Sequence, residues 1–259
     1  MKVKFITLSL LLLFLLISFS QVTAQEEELP TSQMFLIHED EVLPYMTDKY
    51  EAAVKNFVKV LTDSKVEETS FSVAQVNYTT YSFITPVNDY DGLAKYFGMS
   101  DAMIEKVGKD KFDQAMSQFD GCYNTHRNYL LTLRNDLSYK ATVGLDPEEG
   151  FNFRHFDYYY VVPGKEDEMI EILKEWKALF EAKNIEQAYR VYIGGIGTHY
   201  QTVILVKPDK GRVEWAISSD KRNEVGGEEW DKLIKKTISI VQKFDHMSGR
   251  MRPDLYYIP

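Results

Sequence analysis

The sequence predicts an α+β protein that is built from two copies of one module. Two six-residue segments, 134–139 (Arg-Asn-Asp-Leu-Ser-Tyr) and 252–257 (Arg-Pro-Asp-Leu-Tyr-Tyr), nearly repeat each other at a distance of 118 residues. Apolar and polar residues alternate in some segments, which is typical of strands, and apolar residues recur at three and four positions in others, which is typical of helices. The order strand, helix, strand, strand, helix, strand fits the chain twice, at 34–143 and at 152–259, with a connector at 144–151.

The elements of the first half follow from these two periods. Tyr50, Val54 and Leu61 recur with helical spacing, whereas Phe71 and Val73 alternate with small or polar residues as in a strand. We expect a strand at 34–38, a helix at 44–63, a hairpin at 68–85, helices at 90–97, near 103 and at 109–134, and a closing strand at 136–143.

The second half repeats this order after the connector. Met169, Leu173 and Trp176 form a helical stripe, and Pro163 with Gly164 ends the strand before it. We expect a strand at 153–162, a helix at 169–180, a hairpin at 187–206, a long helix at 228–246 and a closing strand at 255–258.

The first 24 residues have the pattern of a secretory signal peptide. Lys2 and Lys4 precede an apolar run of 12 residues at 8–19, and small residues follow it. The run is shorter than the ~20 residues that a membrane-spanning helix needs, although a membrane anchor is the alternative. We expect cleavage and a secreted or periplasmic protein without membrane contact. Residues 25–33 are polar and acidic, and predict a flexible tether.

Composition excludes some classes of partner. The formal net charge is -9, and loss of the two signal lysines would leave 28 basic and 39 acidic residues. Nucleic acid is not expected as a partner, because phosphate binding needs clustered Lys and Arg. Cys122 is the sole cysteine, so no intramolecular disulfide can form, and we expect it to be a small buried side chain.

The predicted element order is that of the ferredoxin-like fold, βαββαβ, in two tandem repeats. Such a sheet has helices on one face and needs a partner for the other, which a second repeat can supply. The chain resembles tandem dimeric α/β-barrel proteins in its element order, its duplication and its closing strands. This is the superfamily of antibiotic-biosynthesis-type monooxygenases, NIPSNAP-like and EthD-like proteins. The resemblance implies two facing sheets in a pseudo-dimeric barrel, either as a monomer or as a weak homo-oligomer. It also implies a ligand site within the barrel or between a sheet and its helices.

Candidate site residues cluster on the strand at 153–162. His155, Asp157 and Tyr159 share one face of it, because side chains alternate along a strand. The opposite face is more aromatic and is expected to pack on helices, which would turn these three residues into the barrel. Arg190 and Tyr192 on the next strand are expected to join them.

This polar set permits three interpretations. It can bind a small apolar or aromatic molecule, with Tyr159, Tyr192 and Arg190 as ligand-binding residues. It can act as acid and base, with His155 or Asp157 catalytic and Arg190 holding an anionic oxygen; the resemblance then implies cofactor-independent oxygenation or isomerisation. It can also be a structural hydrogen-bond network in a non-catalytic interaction or assembly protein.

The remaining histidines add weaker candidates. Under a repeat shift of about 119 residues, Leu36 and His38 occupy the equivalent positions in the first half, and His199 follows a glycine-rich turn. We take His38 and His199 as further ligand-binding candidates. No histidine pair has metal-ligand spacing, so we expect neither a metal nor another cofactor. Haem is the exception, because one histidine suffices and some relatives in the superfamily bind it.

Overall fold

Eight antiparallel strands close into a barrel in the computed structural model, which describes residues 29–199 and 201–259. The strands are β1 (Ser32–Val42), β2 (Ser72–Val76), β3 (Thr80–Val87), β4 (Tyr123–Tyr139), β5 (Phe153–Val161), β6 (Tyr189–Gly194), β7 (Thr202–Asp209) and β8 (Val241–Met251). Their order around the barrel is β1-β3-β2-β8-β5-β7-β6-β4. All of them belong to one compact unit, Thr31–Pro259. The predicted signal peptide and residues 25–28 of the predicted tether lie outside the described residues.

Helices cover the outer surface of the barrel. They are α1 (Thr47–Asp63), α2 (Tyr90–Val107), α3 (Lys109–Met116), α4 (Glu166–Ala182) and α5 (Arg212–Ile238). The backbone of Gly227 takes a positive φ of 58° and breaks α5 into two straight segments. Within the described part of the chain, no helix combines the length and the apolar character needed to cross a bilayer.

The two halves of the barrel have the same strand order. The first half runs β4-β1-β3-β2 and the second runs β8-β5-β7-β6, and the β2–β8 and β4–β6 pairs join them. In chain order the second half has strand, helix, strand, strand, helix, strand, and the first half has the same order with two helices, α2 and α3, before its last strand. The α+β class and the closed barrel are confirmed.

Side chains fill three regions of this architecture. Apolar residues from strands of both halves, among them Ile37, Leu131 and Ile204, pack inside the barrel. One helix-covered core lies outside the first half around Tyr50 and another lies outside the second half around Ile172, and both residues are fully buried. Both faces of the sheet are therefore covered.

The repeated segments at 134–139 and 252–257 have a shared local structure. Arg134 forms a two-pronged ion pair with Asp136, and Arg252 forms the same pair with Asp254. The leucine that follows each Asp is buried, but Leu137 packs in the core of the second half and its counterpart at 255 packs in the core of the first. Each repeat thus ends by inserting its last segment into the other half.

The two long helices predicted before these segments are wrong. Helix α3 ends at Met116 and strand β4 begins at Tyr123, where a single helix was expected at 109–134. Strand β4 pairs with β1 from Ser32 to Val42, so its polar residues satisfy their backbone groups across the sheet. Similarly, α5 ends at Ile238 and β8 follows it.

Smaller boundaries also differ from the prediction. Strand β1 begins at Ser32, inside the expected tether, because Ser32 already pairs with Arg134 of β4. The expected last strand is a 3₁₀ turn, Pro253–Leu255, followed by one bridge between Phe71 and Tyr257. Cys122 is free and buried as expected, but it lies in the turn before β4.

Candidate functional site

His155, Asp157 and Tyr159 face the helices, not the barrel interior as predicted. All three line a cavity between the sheet of the second half and its helices, whereas Phe156 and Tyr158 pack inside the barrel. The expectation that the more aromatic face packs on helices is wrong, because both faces are buried in a closed barrel. Aromatic content therefore does not distinguish the inner face from the outer one.

This cavity, the C-terminal pocket, has a volume of about 360 Å³. All three tryptophans of the chain line it. The break in α5 lets both segments of that helix contribute, because Trp215 and Arg222 precede the break and Trp230 follows it. The other lining residues come from β5 to β8, α4 and α5: His155, Asp157, Tyr159, Met169, Leu173, Trp176, Phe180, Tyr189, Leu205, Lys207, Ser219, Asn223, Ile234, Thr237, Phe244 and His246.

A buried ionic group lies at the sheet side of the C-terminal pocket. Asp157 accepts a hydrogen bond from His155 Nε2 at 3.0 Å on one oxygen and from the Lys207 ammonium on the other. Burial by itself would raise the pKa of Asp157, but Lys207 and His155 outweigh burial and hold that pKa well below its usual range. Burial lowers the pKa of Lys207, which Asp157 partly offsets. Asp157 is therefore the ionised centre of the group.

A second cation lies on the helix side of the pocket. Arg222 is buried, and its hydrogen-bond partners are the neutral side chains of Gln187, Ser219 and Asn223. Its guanidinium carbon lies 4.7 Å from the ring centre of Trp230. Among the described residues no carboxylate forms an ion pair with it. The pocket thus holds one more buried positive charge than negative charge.

Three buried polar atoms around the C-terminal pocket have no hydrogen-bond partner among the residues that the structure describes: His155 Nδ1, Tyr189 Oη and Trp215 Nε1. The His155 ring stacks on Trp215 with 4.2 Å between ring centres. Buried polar groups in folded proteins are almost always hydrogen-bonded. Water or a molecule inside the cavity can supply partners for these three atoms.

Arg190 and Tyr192 do not join this site, contrary to the prediction. Their neighbour Val191 packs in the helix-covered core of the second half, so Arg190 and Tyr192 lie on the opposite face, inside the barrel. Arg190 donates to the carbonyls of Ala141 and Val143 at 2.7 and 2.6 Å. It therefore anchors the turn that follows β4, just before the connector, to the sheet.

The two further histidine candidates also lie elsewhere. His199 is exposed in the loop between β6 and β7, with its ring edge-on to Tyr160 at 5.5 Å. His38 lies in a second cavity of about 300 Å³, the N-terminal pocket, outside the sheet of the first half. The lining residues of this pocket come from β1, β3, β4, α1, α2, α3 and adjoining turns: His38, Asp40, Tyr50, Val54, Phe57, Thr69, Phe71, Phe83, Thr85, Tyr96, Met103, Phe112, Met116, Phe119, Tyr123 and His126.

The two pockets contain matching polar side chains. His38 and Asp40 on β1 match His155 and Asp157 on β5, in each case as His-x-Asp on the helix side. Strand pairing sets His126 of β4 opposite Asp40 in the same way as it sets His246 of β8 opposite Asp157. The repeat shift from β1 to β5 is 117 residues, from His38 to His155, and not 119.

The first-half group brings metal-ligand atoms together. One donor atom each from His38, Asp40 and His126 lie within 4.8 Å of one another. The histidines lack metal-ligand spacing along the chain, and the prediction of no metal site was based on that spacing alone. Pairing of β1 with β4 brings together residues that are 86 positions apart.

Sequence reasoning also missed Lys207, Arg222 and Trp215 in the C-terminal pocket. No local pattern marks these residues, since Lys207 reaches the site from β7, and Trp215 and Arg222 reach it from α5. The repeated His-x-Asp at 38–40 and 155–157 is a signal that could have located both pockets.

Comparison with known proteins adds evidence at the level of the fold. No protein-family model matches the chain. No curated protein matches it either. A solved anthrone oxidase-like protein superposes with a TM-score of 0.55 over 85% of this chain and 91% of that chain, at 12% identity. The chain has a dimeric α/β-barrel fold. The predicted resemblance is confirmed at the level of the fold.

Two other solved barrels of this kind are similar to the chain. A candidate monooxygenase from Fusobacterium nucleatum subsp. nucleatum ATCC 25586 has a TM-score of 0.51 at 14% identity, over 86% of this chain and 94% of that one. A candidate monooxygenase from Lactobacillus acidophilus NCFM has a TM-score of 0.50 at 11% identity, with the same coverage. At these identities the likeness defines the α/β barrel and does not transfer any site residue.

Proposed function

We propose that the C-terminal pocket binds a planar aromatic molecule that carries an anionic oxygen. The observation that carries this proposal is Arg222, a buried guanidinium whose hydrogen-bond partners are all neutral. A buried charge without a counter-charge is costly, so the site favours an anion. Three tryptophans around the same cavity favour a flat aromatic ring.

The pocket also contains the parts of a general base. Ionised Asp157 can only accept hydrogen bonds, so Nε2 of a neutral His155 carries the proton and Nδ1 carries the lone pair. Within residues 29–199 and 201–259, Nδ1 has no hydrogen-bond partner. His155 would take a proton from a C–H or O–H group of the substrate, and the electron pair would stay on the substrate as an enolate or phenolate. Arg222 and Lys207 would stabilise that negative charge.

Two reactions are compatible with such a proton transfer. Return of the proton to a different carbon would be an isomerisation, and attack of the carbanion on dioxygen would be an oxygenation without a cofactor. The monooxygenase names of the structural neighbours concern those proteins, and for this chain oxygenation is a proposal. Haem binding also stays a prediction. Its test is a Soret band that appears when hemin is added and is lost in a histidine variant.

Further parts of the proposal concern the chain as a whole. We infer that the halves are tandem ferredoxin-like repeats, supported by their equal strand order. The signal-like pattern at 1–24 supports export to the periplasm or the medium. The oligomeric state, either a monomeric pseudo-dimer or a weak homo-oligomer, stays a prediction. The expectation that the protein binds neither nucleic acid nor membrane also stays a prediction.

Calorimetric titration with matched probes tests the ligand class. We expect 2-naphthoate, 1-hydroxy-2-naphthoate or anthraquinone-2-carboxylate to bind at least about tenfold more tightly than neutral 2-naphthylmethanol, equivalent to ~1.4 kcal/mol. Arg222→Met should remove this preference, whereas Arg212→Met, an exposed arginine on the same helix, should keep it. Quenching of tryptophan fluorescence would locate the ligand, because all three tryptophans line the pocket.

Two results would count against the proposal. Absence of heat with every anionic probe would favour the non-catalytic interaction protein. Equal affinity of wild type and Arg222→Met for 2-naphthoate would remove Arg222 from the site.

A further inference from the structure

The N-terminal pocket contains two imidazoles and one carboxylate that converge. Strands β1 and β4 pair in the register that sets Asp40 opposite His126 and His38 opposite Asn128. Asp40 Oδ1 lies 3.1 Å from His126 Nδ1 and 3.5 Å from His38 Nε2. An ion held by oxygen and nitrogen ligands at about 2.0 to 2.2 Å requires neighbouring ligand atoms roughly 3 to 3.5 Å apart. The separations around Asp40 Oδ1 match that requirement.

Each ligand on β1 is oriented by a second residue. His38 Nδ1 lies 3.0 Å from the amide oxygen of Asn128, which can only accept a hydrogen bond, so Nδ1 carries the proton and Nε2 carries the lone pair. Tyr50 donates its hydroxyl to Asp40 Oδ2 at 2.6 Å, in a buried position, and leaves Oδ1 for the site. Such outer hydrogen bonds are typical of metal ligands.

This arrangement places acceptors opposite each other. The lone pair of a neutral His38 at Nε2 faces Asp40 Oδ1, and Asp40 is buried with 4% of its surface exposed. Two acceptors at this distance need a cation between them, either a proton or a metal ion. His126 brings Nδ1 to the exposed side of the same oxygen, as a third atom that can bind a metal ion.

We propose that His38, Asp40 and His126 bind a divalent first-row transition-metal ion, such as Zn²⁺, with coordination positions open to the N-terminal pocket. Imidazole and carboxylate ligands suit this class of ion, and three protein ligands on one side leave room for water or a substrate. The cavity of about 300 Å³ that these residues line has mostly aromatic and apolar walls, including Phe57 and Phe119. This site is separate from the C-terminal pocket and does not depend on the function proposed for it.

The second half supplies an internal control. In the first half Phe83 of β3 lies opposite His38, whereas in the second half Lys207 of β7 lies opposite His155. The Lys207 ammonium forms an ion pair with the second oxygen of Asp157. The rings of His155 and His246 lie 6.1 Å apart, compared with 4.4 Å for His38 and His126. A fixed positive charge next to the carboxylate opposes a metal cation, so we expect one ion per chain.

Zinc content measures this directly. The full chain is stripped with a chelator, incubated with Zn²⁺, desalted and analysed by inductively coupled plasma mass spectrometry. We expect about one zinc per chain in wild type and in His246→Ala, and almost none in His126→Ala or His38→Ala. Circular dichroism should show unchanged folding of His126→Ala, because His126 is half-exposed.

Zinc affinity and cobalt absorption spectra distinguish a specific metal site from nonspecific binding at the surface. Asn128→Ala should weaken calorimetric Zn²⁺ binding by about 10- to 100-fold, which is the usual effect of losing an outer hydrogen bond to a ligand. Co²⁺ should give visible d–d bands in wild type that are absent from His126→Ala. Zinc content near zero in wild type, or equal content in wild type and His126→Ala, would overturn the proposal.

Discussion

The two pockets show how one cross-strand position changes the chemistry of a repeated motif. Both halves place His-x-Asp on the helix side of the sheet, at 38–40 and 155–157, with a histidine on the neighbouring strand. In the first half Phe83 carries no charge, so the Asp40 carboxylate can interact with the two histidines. In the second half Lys207 forms an ion pair with the Asp157 carboxylate. The first arrangement suits a metal ion, and the second suits an ionised carboxylate that orients a neutral base.

The largest effect on stability is expected at Lys207. Lys207→Met should lower the free energy of unfolding by about 3 to 5 kcal/mol at pH 7, because Asp157 loses its buried counter-charge. Urea denaturation measures the change. Lys243→Met, which removes an exposed ion pair with Asp245, should lower the free energy of unfolding much less. Equal losses in the two variants would contradict the assignment of Asp157 as ionised and buried.

A slightly smaller effect tests whether the halves exchange their closing segments. Leu137→Ala and Leu255→Ala should each cost about 2 to 5 kcal/mol, because both leucines are almost fully buried. Tyrosine or tryptophan near-ultraviolet circular dichroism should show the exchange: Leu137→Ala should perturb the tryptophan signal of the second half, although residue 137 belongs to the first repeat. A tryptophan signal perturbed only by Leu255→Ala would contradict the exchange.

Zinc should stabilise the protein through the first half only. At a free concentration of 100 times the dissociation constant, Zn²⁺ should raise the free energy of unfolding by about 2.7 kcal/mol in wild type. His126→Ala should show no such gain, and Lys207→Met should keep it.

The zinc effect should also depend on pH. Burial would lower the pKa of His38, but Asp40, Asn128 and Glu39 outweigh burial and raise that pKa above its usual 6.5. Protons therefore compete with zinc, and the stabilisation should fall as pH decreases through the raised pKa of His38. A zinc effect that is constant between pH 8 and pH 5 would exclude His38 as a ligand.

The smallest predicted effect is at Tyr50. Tyr50→Phe removes the hydroxyl that donates to buried Asp40, which should cost about 1 to 3 kcal/mol and weaken zinc binding about tenfold. Tyr123→Phe is a matched control, since Tyr123 lines the same pocket and has no hydrogen bond to Asp40. An unchanged zinc affinity in Tyr50→Phe would mean that Asp40 needs no orientation by Tyr50.

Local patterns were sufficient for the fold class and for part of the site. The duplicated element order predicted the barrel, and the alternation in β5 correctly grouped His155, Asp157 and Tyr159. The apolar periodicity predicted helices where strands β4 and β8 lie, before the closing segments. These strands are long and largely polar, and they gain their hydrogen bonds from distant partners. A strand in a closed barrel also has two buried faces, so alternation alone cannot assign the inner one.

The remaining parts of the sites depend on contacts that no local pattern records. Lys207 reaches Asp157 across 50 residues, and His126 reaches Asp40 across 86. Arg190 has the charge of an anion-binding residue, but from inside the barrel it donates to the carbonyls of Ala141 and Val143 in the turn after β4. A repeat shift of 117 residues in place of 119 would have paired His38 with His155 and revealed the shared motif.

Anomalous X-ray scattering at the zinc edge, from crystals soaked with Zn²⁺, tests the contrast between the halves most directly. We expect one strong peak between His38, Asp40 and His126, and none between His155, Asp157 and His246. Peaks of equal height at both places, or a peak in the second half alone, would contradict it.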